Sequence, residues 1–241
     1  DSHIAILNSD DPNVMKMKTM TKAKIITYGL SEGSTFKASD IRLSYKENNV
    51  GTSFKLETDG KVLPVFLDNA LGSMQVKAAL AALAVGVSLK VSLLELIEDF
   101  RKYQVPPGRT NLLKGIKNTL LIDDTYNSSP ISSKAVLEIL KDAEIKEGGK
   151  KIAIFGEMLE LGSYTEAGHQ EVGIKASELG IDTLICVGEK TRDIIRGARA
   201  KGMSEDKTFY FATNKEAGTF VQNRLHEHDL VLIKGSQGAR M

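Results

Sequence analysis

From Thr119 to the last residues of the chain, five short apolar runs recur, TLLIDD, KIAIFG, TLICVG, TFYFAT and LVLIKG, each separated from the next by a helix-length stretch. Apolar strands of this length alternating with helices, here from Pro130, Thr165, Lys190 and Asn214, fold as a parallel sheet covered on both faces. The second half of the chain is therefore expected to be a doubly wound, mostly parallel, Rossmann-like α/β unit. In such a sheet ligands bind beyond the carboxyl ends of the strands, so the residues just after each run are the ones to weigh. They are Asp123 to Asn127, Gly156 to Met158, Gly188 and Glu189, Thr213 and Asn214, and Lys234 to Ser236.

The first half is patterned differently. Ile4 to Leu7 reads as a strand, and Asp11 followed by Pro12 is a helix start, the aspartate as N-cap and the proline at the first helical position. Between Lys24 and Leu67 the runs KIITYG, FKASDIRLSY, TSFKLET and KVLPVFL alternate between Gly, Asn and Asp punctuation and are expected to pair antiparallel. Ala70 to Val85 is Ala-rich and apolar nearly all round, which predicts a helix packed inside its domain, and SLLELIEDFRKY predicts an amphipathic one after it. QVPPGR breaks both, making Val105 to Gly108 the expected linker. The chain opens inside what looks like a domain already begun, which points to a piece of something longer.

Composition excludes more than it selects. Thirty-two Lys+Arg against 31 Asp+Glu give a net charge of +1, so no bulk field favours nucleic acid or an anionic membrane. No run is long and apolar enough to span a bilayer, there is no secretory leader pattern, and a cytoplasmic protein is expected. The single cysteine, Cys186, lies in an apolar strand and is expected to be an inert buried thiol.

No glycine-rich phosphate loop is present: VGEKT lacks the required glycine spacing, and GSQG follows the last strand too near the end of the chain to open a helix. DDTYNSSP admits two readings, in which Asn127 or a nearby serine caps the helix from Pro130 while the aspartates bind loop amides, or a carboxylate accepts from a sugar diol while Tyr126 and Asn127 face a substrate. Arg109, just after the prolines, is either a solvated charge or a pin for an anion. GEMLELG, Gly156 to Gly162, places Glu157 and Met158 at the rim. His169 fits a hydrogen-bonded structural role better than a catalytic one, His226 and His228 read as solvated, and no set of residues has metal-ligand spacing.

In this order, PPGR, IDDTYNSSP, FGEMLELGSYTEAGHQEVG and VLIKGSQGARM resemble the C-terminal half of the Mur ligases, the ATP-dependent amide-forming enzymes of peptidoglycan precursor synthesis, while AILNSDDP and LGSMQVKAALAALAVG are similar to the later part of that family's central ATPase domain. GEMLELG followed by GHQEVG most resembles the members that join D-alanyl-D-alanine to UDP-N-acetylmuramoyl-tripeptide. The resemblance implies residues 1–106 as the back part of the central domain and 107–241 as the C-terminal domain, with the phosphate loop and the Mg2+ ligands upstream of Asp1 and this chain alone inactive. It implies ATP contacts for Arg109, Asp124 and Gln75, and contacts or shaping on the substrate side for Tyr126, Asn127, Glu157, Met158, His169, Lys234 and Ser236, in a monomer that neither binds nucleic acid nor enters a membrane. The family pattern GxHNxxNA is altered, with Met74 for the His and Ala78 for the second Asn, and Gln237 stands where relatives often have Arg after KGS, so that one cationic contact is either missing or supplied by Arg240. Two other readings stay open: a ligase of the same superfamily adding a different amino acid or glutamates to folate, and a non-catalytic binding module.

Overall fold

The computed structural model describes residues 3–46 and 49–241. It divides into two compact units, Asp1–Gln104 and Val105–Met241.

In the first unit β1 (Ile4–Asn8) leads into α1 (Pro12–Lys16), then β2 (Lys24–Gly29), β3 (Phe36–Lys46), β4 (Asn49–Thr58) and β5 (Lys61–Asp68), which form one sheet in chain order, followed by α2 (Ser73–Ser88) and α3 (Leu93–Asp99). Asp11 caps α1, its Oδ1 accepting from the amides of Asn13 at 2.8 Å and Val14 at 3.3 Å. The helix is short, giving way to a 3-10 turn over Met17–Met20. Only part of the expected antiparallel arrangement is present: β3, β4 and β5 pair antiparallel, but β2 runs parallel to both β1 and β3. Alternation of apolar residues marks a strand without fixing its direction, which the connection decides. Here the turn after β2 is folded back by Asp10, whose carboxylate accepts from the Leu30 and Ser31 amides and the Ser31 hydroxyl and pairs with Lys77 at 2.9 Å. The expectation for α2 is also corrected: Val76, Leu80, Leu83 and Ala84 are buried, but Met74, Ala78, Ala82 and Val85 form an exposed stripe on the same helix.

The second unit carries an edge strand that the pattern did not announce, β6 (Asn111–Lys114), then β7 (Leu120–Asp124), α4 (Pro130–Asp142), β8 (Lys151–Phe155), α5 (Thr165–Glu178), β9 (Thr183–Val187), α6 (Arg192–Ala200), β10 (Thr208–Phe211), α7 (Asn214–Arg224) and β11 (Leu230–Lys234). The sheet order is β10-β9-β8-β11-β7-β6, parallel except for β6. The last strand in the chain thus lies between β7 and β8: from β6 to β10 the chain steps in one direction across the sheet, and it reverses only in the connection from β10 back to β11. Alternation sorts the two faces: Ile152, Ile154, Ile185 and Val187 pack with Ala217 and Leu225 on the α7 side, while Ala153, Phe155, Leu184 and Cys186 point the other way, where α4, α5 and α6 form a layer. In that layer α5 and α6 touch through glycines. A Cβ on Gly173 would meet the Ile194 carbonyl at 1.8 Å, and one on Gly197 the Gln170 carbonyl at 2.2 Å. Cys186 is fully buried, and burial pushes its thiol pKa up. No helix among the described residues is long and apolar enough to cross a membrane.

Candidate functional site

The carboxyl ends of β7, β11 and β8 lie side by side, and two groups of polar residues meet there. In the first, parallel register sets Lys234 directly beside Asp124. Its ammonium donates to Asp124 Oδ2 at 2.6 Å and to the Asn127 carbonyl at 2.8 Å, with only 1% of the side chain exposed. Burial holds the Lys234 pKa below the ordinary lysine value, an effect that Asp124 opposes and Arg109 adds to. The other oxygen, Asp124 Oδ1, accepts from the Thr110 amide at 2.9 Å and hydroxyl at 3.2 Å.

Asp123, being the preceding residue of a strand, faces the opposite side. There it accepts from the Gly108 amide at 3.1 Å and the Thr125 hydroxyl at 2.7 Å. The Gly108 carbonyl in turn accepts from the Tyr126 amide at 3.0 Å. Gly108 adopts φ +72, and a Cβ there would stand 3.0 Å from the Tyr126 nitrogen, so the approach of the two segments depends on glycine. Arg109 is bracketed by these anchors and lies over the Tyr126 ring, 4.2 Å from its centroid. Arg109, Tyr126 and Asn127 are exposed, so this group presents a cation, an aromatic face, an amide and a mostly buried carboxylate at the sheet rim.

The second group shapes the loop from Gly156 to Gly162. His169, on α5, is fully buried. Its Nε2 accepts from the Met158 amide at 3.1 Å, which leaves Nδ1 to donate to the Thr165 carbonyl at 2.7 Å and fixes one neutral tautomer. Burial is the main cause lowering its pKa, against the smaller pull of the Thr165 carbonyl. The Leu159 amide donates to Ser236 Oγ at 3.0 Å, the Ser236 amide to the Glu157 carbonyl at 3.1 Å, and Glu157 Oε1 accepts from the Lys190 amide at 3.0 Å. Met158 is buried against Ser133, whose hydroxyl lies 3.7 Å from its sulfur.

The residues expected at the site thus fall into two adjoining sets, neither of them uniform in exposure. Arg109, Asp124, Tyr126, Asn127 and Lys234 come together, and Glu157, Met158, His169 and Ser236 form the adjoining set. Lys234, Met158, His169 and Ser236 are turned inward, so they act on the rim through the loops they hold. Gln75 belongs to the first unit, near the start of α2, where its Oε1 accepts from the Tyr103 hydroxyl at 3.4 Å. The helix cap in DDTYNSSP is Ser129, whose hydroxyl accepts from the Ser132 amide at 3.3 Å. Thr110 and Ser133 carry no motif and escaped the sequence reading. The facing of Asp123 was legible, because consecutive strand residues cannot share a face. Among the described residues no group of three or more His, Cys, Asp or Glu converges as a metal site.

Residues 108–237 match the family described as Mur ligase, glutamate ligase domain, and residues 1–86 match the Mur ligase middle domain. The UDP-N-acetylmuramoyl-tripeptide--D-alanyl-D-alanine ligase of Bacillus subtilis (strain 168) is 29% identical over 216 residues, which is 89% of this chain and 45% of that protein. A crystal structure of MurF from Acinetobacter baumannii superposes with TM-score 0.82 at 26% identity, over 99% of this chain and 49% of that one. The MurF ligase from Thermotoga maritima, solved in complex with ADP, superposes with TM-score 0.80 at 25% identity, over 99% and 51%. The chain spans about half the length of the curated relatives it matches. With both modules matched in order along it, the chain belongs to the Mur ligase family.

Proposed function

We propose that the whole protein forms an amide bond between UDP-N-acetylmuramoyl-tripeptide and D-alanyl-D-alanine at the expense of ATP, a step in peptidoglycan precursor synthesis in the cytoplasm. One observation carries the reading: the rim after β7 presents Arg109, Tyr126 and Asp124 together, in a chain nearly all of which aligns with about half the length of ligases of that name.

The chemistry asks little of a strong base. A substrate carboxylate oxygen attacks the γ-phosphorus of ATP and ADP departs, giving an acyl phosphate. The amine of the second substrate then attacks the acyl carbon, loses its proton, and expels phosphate with the electron pair of the broken C–O bond. Both steps depend on holding the partners in line and stabilising phosphoryl charge. Arg109, exposed and steadied on Tyr126, supplies a cation for phosphate oxygens, and Asp124 supplies an acceptor for a ribose hydroxyl. Tyr126 and Asn127 face the substrate side, and the loop from Gly156 to Gly162, shaped by His169 and Ser236, forms the neighbouring wall. Mg2+ supplies charge neutralisation to such phosphoryl transfers, and among the described residues no group of three or more His, Cys, Asp or Glu converges to hold it.

The test is phosphate release by the whole protein given ATP, UDP-N-acetylmuramoyl-tripeptide and one amine at a time. Release with D-alanyl-D-alanine and not with single amino acids is expected. Release with glutamate or another single amino acid would keep the family and overturn the substrate.

A further inference from the structure

Lys234 presents a conflict between position and role. Its place as the last residue of β11, next to Gly235 and Ser236, associates it with the loop from Gly156 to Gly162, and its backbone does join that loop, the carbonyl accepting from the Gly156 amide at 2.7 Å. Its side chain goes elsewhere. The ammonium is almost completely buried and meets Asp124 Oδ2 and the Asn127 carbonyl, both on the β7 side.

What those two contacts hold is continuous. Asp124, oriented by Lys234 through Oδ2, receives both the amide and the hydroxyl of Thr110 on Oδ1. Thr110 follows Arg109, and Gly108, on its other side, is tied to Asp123. The Asn127 carbonyl fixes the end of the segment that carries Tyr126, on whose ring Arg109 rests. A carboxylate offers about four acceptor positions. Asp124 has accepted three donors here, so one position remains for a ligand hydroxyl, in a direction set by the other three.

Resting on the reading above, we infer that Lys234 is a positioning residue for the nucleotide: its buried ammonium sets Asp124, Asn127 and, through Thr110, Arg109, and it makes no contact with the amine substrate. A buried ion pair is a poor device for stability alone, since a well-packed apolar pair often does as well. Its use here is to give one orientation to a carboxylate and a loop that would otherwise have several.

The experiment measures KM for ATP, KM for the amine, and kcat in the whole protein for wild type, K234M and T110V. In K234M the ATP KM rises at least about tenfold, and in T110V, which removes only the hydroxyl donor to Asp124, about threefold, with the amine KM held within about twofold in both. A purely structural role would lower kcat, by reducing the active fraction, and leave both KM values in place. That result, or a rise in the amine KM with an unchanged ATP KM, overturns the inference. Should K234M not accumulate as folded protein, T110V decides by the same criteria. Wild-type protein that ligates a different amine would sink the substrate assignment while leaving the ATP KM comparison intact, so the two failures are distinguishable.

Discussion

The loop after β7 and the loop after β8 are neighbours on one sheet edge, yet the first is fastened by two aspartates and a buried ammonium and the second mainly by neutral groups, with the Glu157 carboxylate at its start. Asp123, Asp124 and Lys234 fasten the β7 side, each carboxylate oxygen receiving a directed donor. On the β8 side an uncharged imidazole, a serine hydroxyl and backbone groups do most of the same work, beside a Glu157 carboxylate that accepts from the Lys190 amide and has no buried cation as partner among the described residues. The difference has a physical logic. On the proposed function, a segment that meets phosphate oxygens with Arg109 gains from a fixed electrostatic frame, whereas a wall needs only its shape. Charged anchors are also the more brittle, because removing one partner strands the other in a poorly solvated place.

The largest effect is therefore expected at the charged anchor. Asp124→Asn leaves Lys234 buried without its counter-ion and should cost about 3 kcal/mol in denaturant unfolding, with the ATP KM up more than about tenfold. Unchanged stability would mean that the two loops are not held differently after all. His169→Ala comes next: the Met158 amide loses its acceptor and a buried ring is deleted, so a loss of about 2 kcal/mol is expected, with the ATP KM within about twofold. A large ATP effect from that variant would erase the distinction between the sides. Arg109→Ala reverses the pattern, removing an exposed cation with a stability change inside about 0.5 kcal/mol and an ATP KM raised about tenfold. Ser236→Ala removes the acceptor for the Leu159 amide and should cost about 1 kcal/mol.

The smallest effect sharpens the contrast through pH. His169 has a folded-state pKa below its ordinary value of 6.5, mainly because burial disfavours the charged ring. Below that value the unfolded chain takes up a proton that the folded one resists, so this contribution is complete above pH 6.5 and is lost as pH falls toward the lower folded value. Stability measured across that window should fall less in His169→Gln than in wild type. Equal slopes would remove His169 from the account.

The fold of the second unit was legible because each apolar run in it is the length of a buried strand and each gap is the length of a helix. The antiparallel edge strand β6 was not, since Asn111–Lys114 is short and half polar and draws its place from pairing with β7. In the first unit, strand existence was legible and direction was not, because Asp10 folds the turn after β2 through contacts with Leu30, Ser31 and Lys77 that no local pattern encodes. At the site, motif order brought Arg109, Asp124 and Tyr126 to notice. What it could not convey was facing: His169, Met158 and Lys234 stand in the right motifs but point inward, and Thr110 stands in none yet binds Asp124. Register supplies the missing information, since Lys234 and Asp124 are partners across adjacent parallel strands.

The central claim, that this chain serves a ligase joining D-alanyl-D-alanine to UDP-N-acetylmuramoyl-tripeptide, is tested most directly by mass spectrometry of the product formed by the whole protein. The account predicts a species equal to the tripeptide substrate plus D-alanyl-D-alanine less one water, formed only when ATP is present and accompanied by ADP. A product carrying a single amino acid, or the same product without ATP, would contradict it.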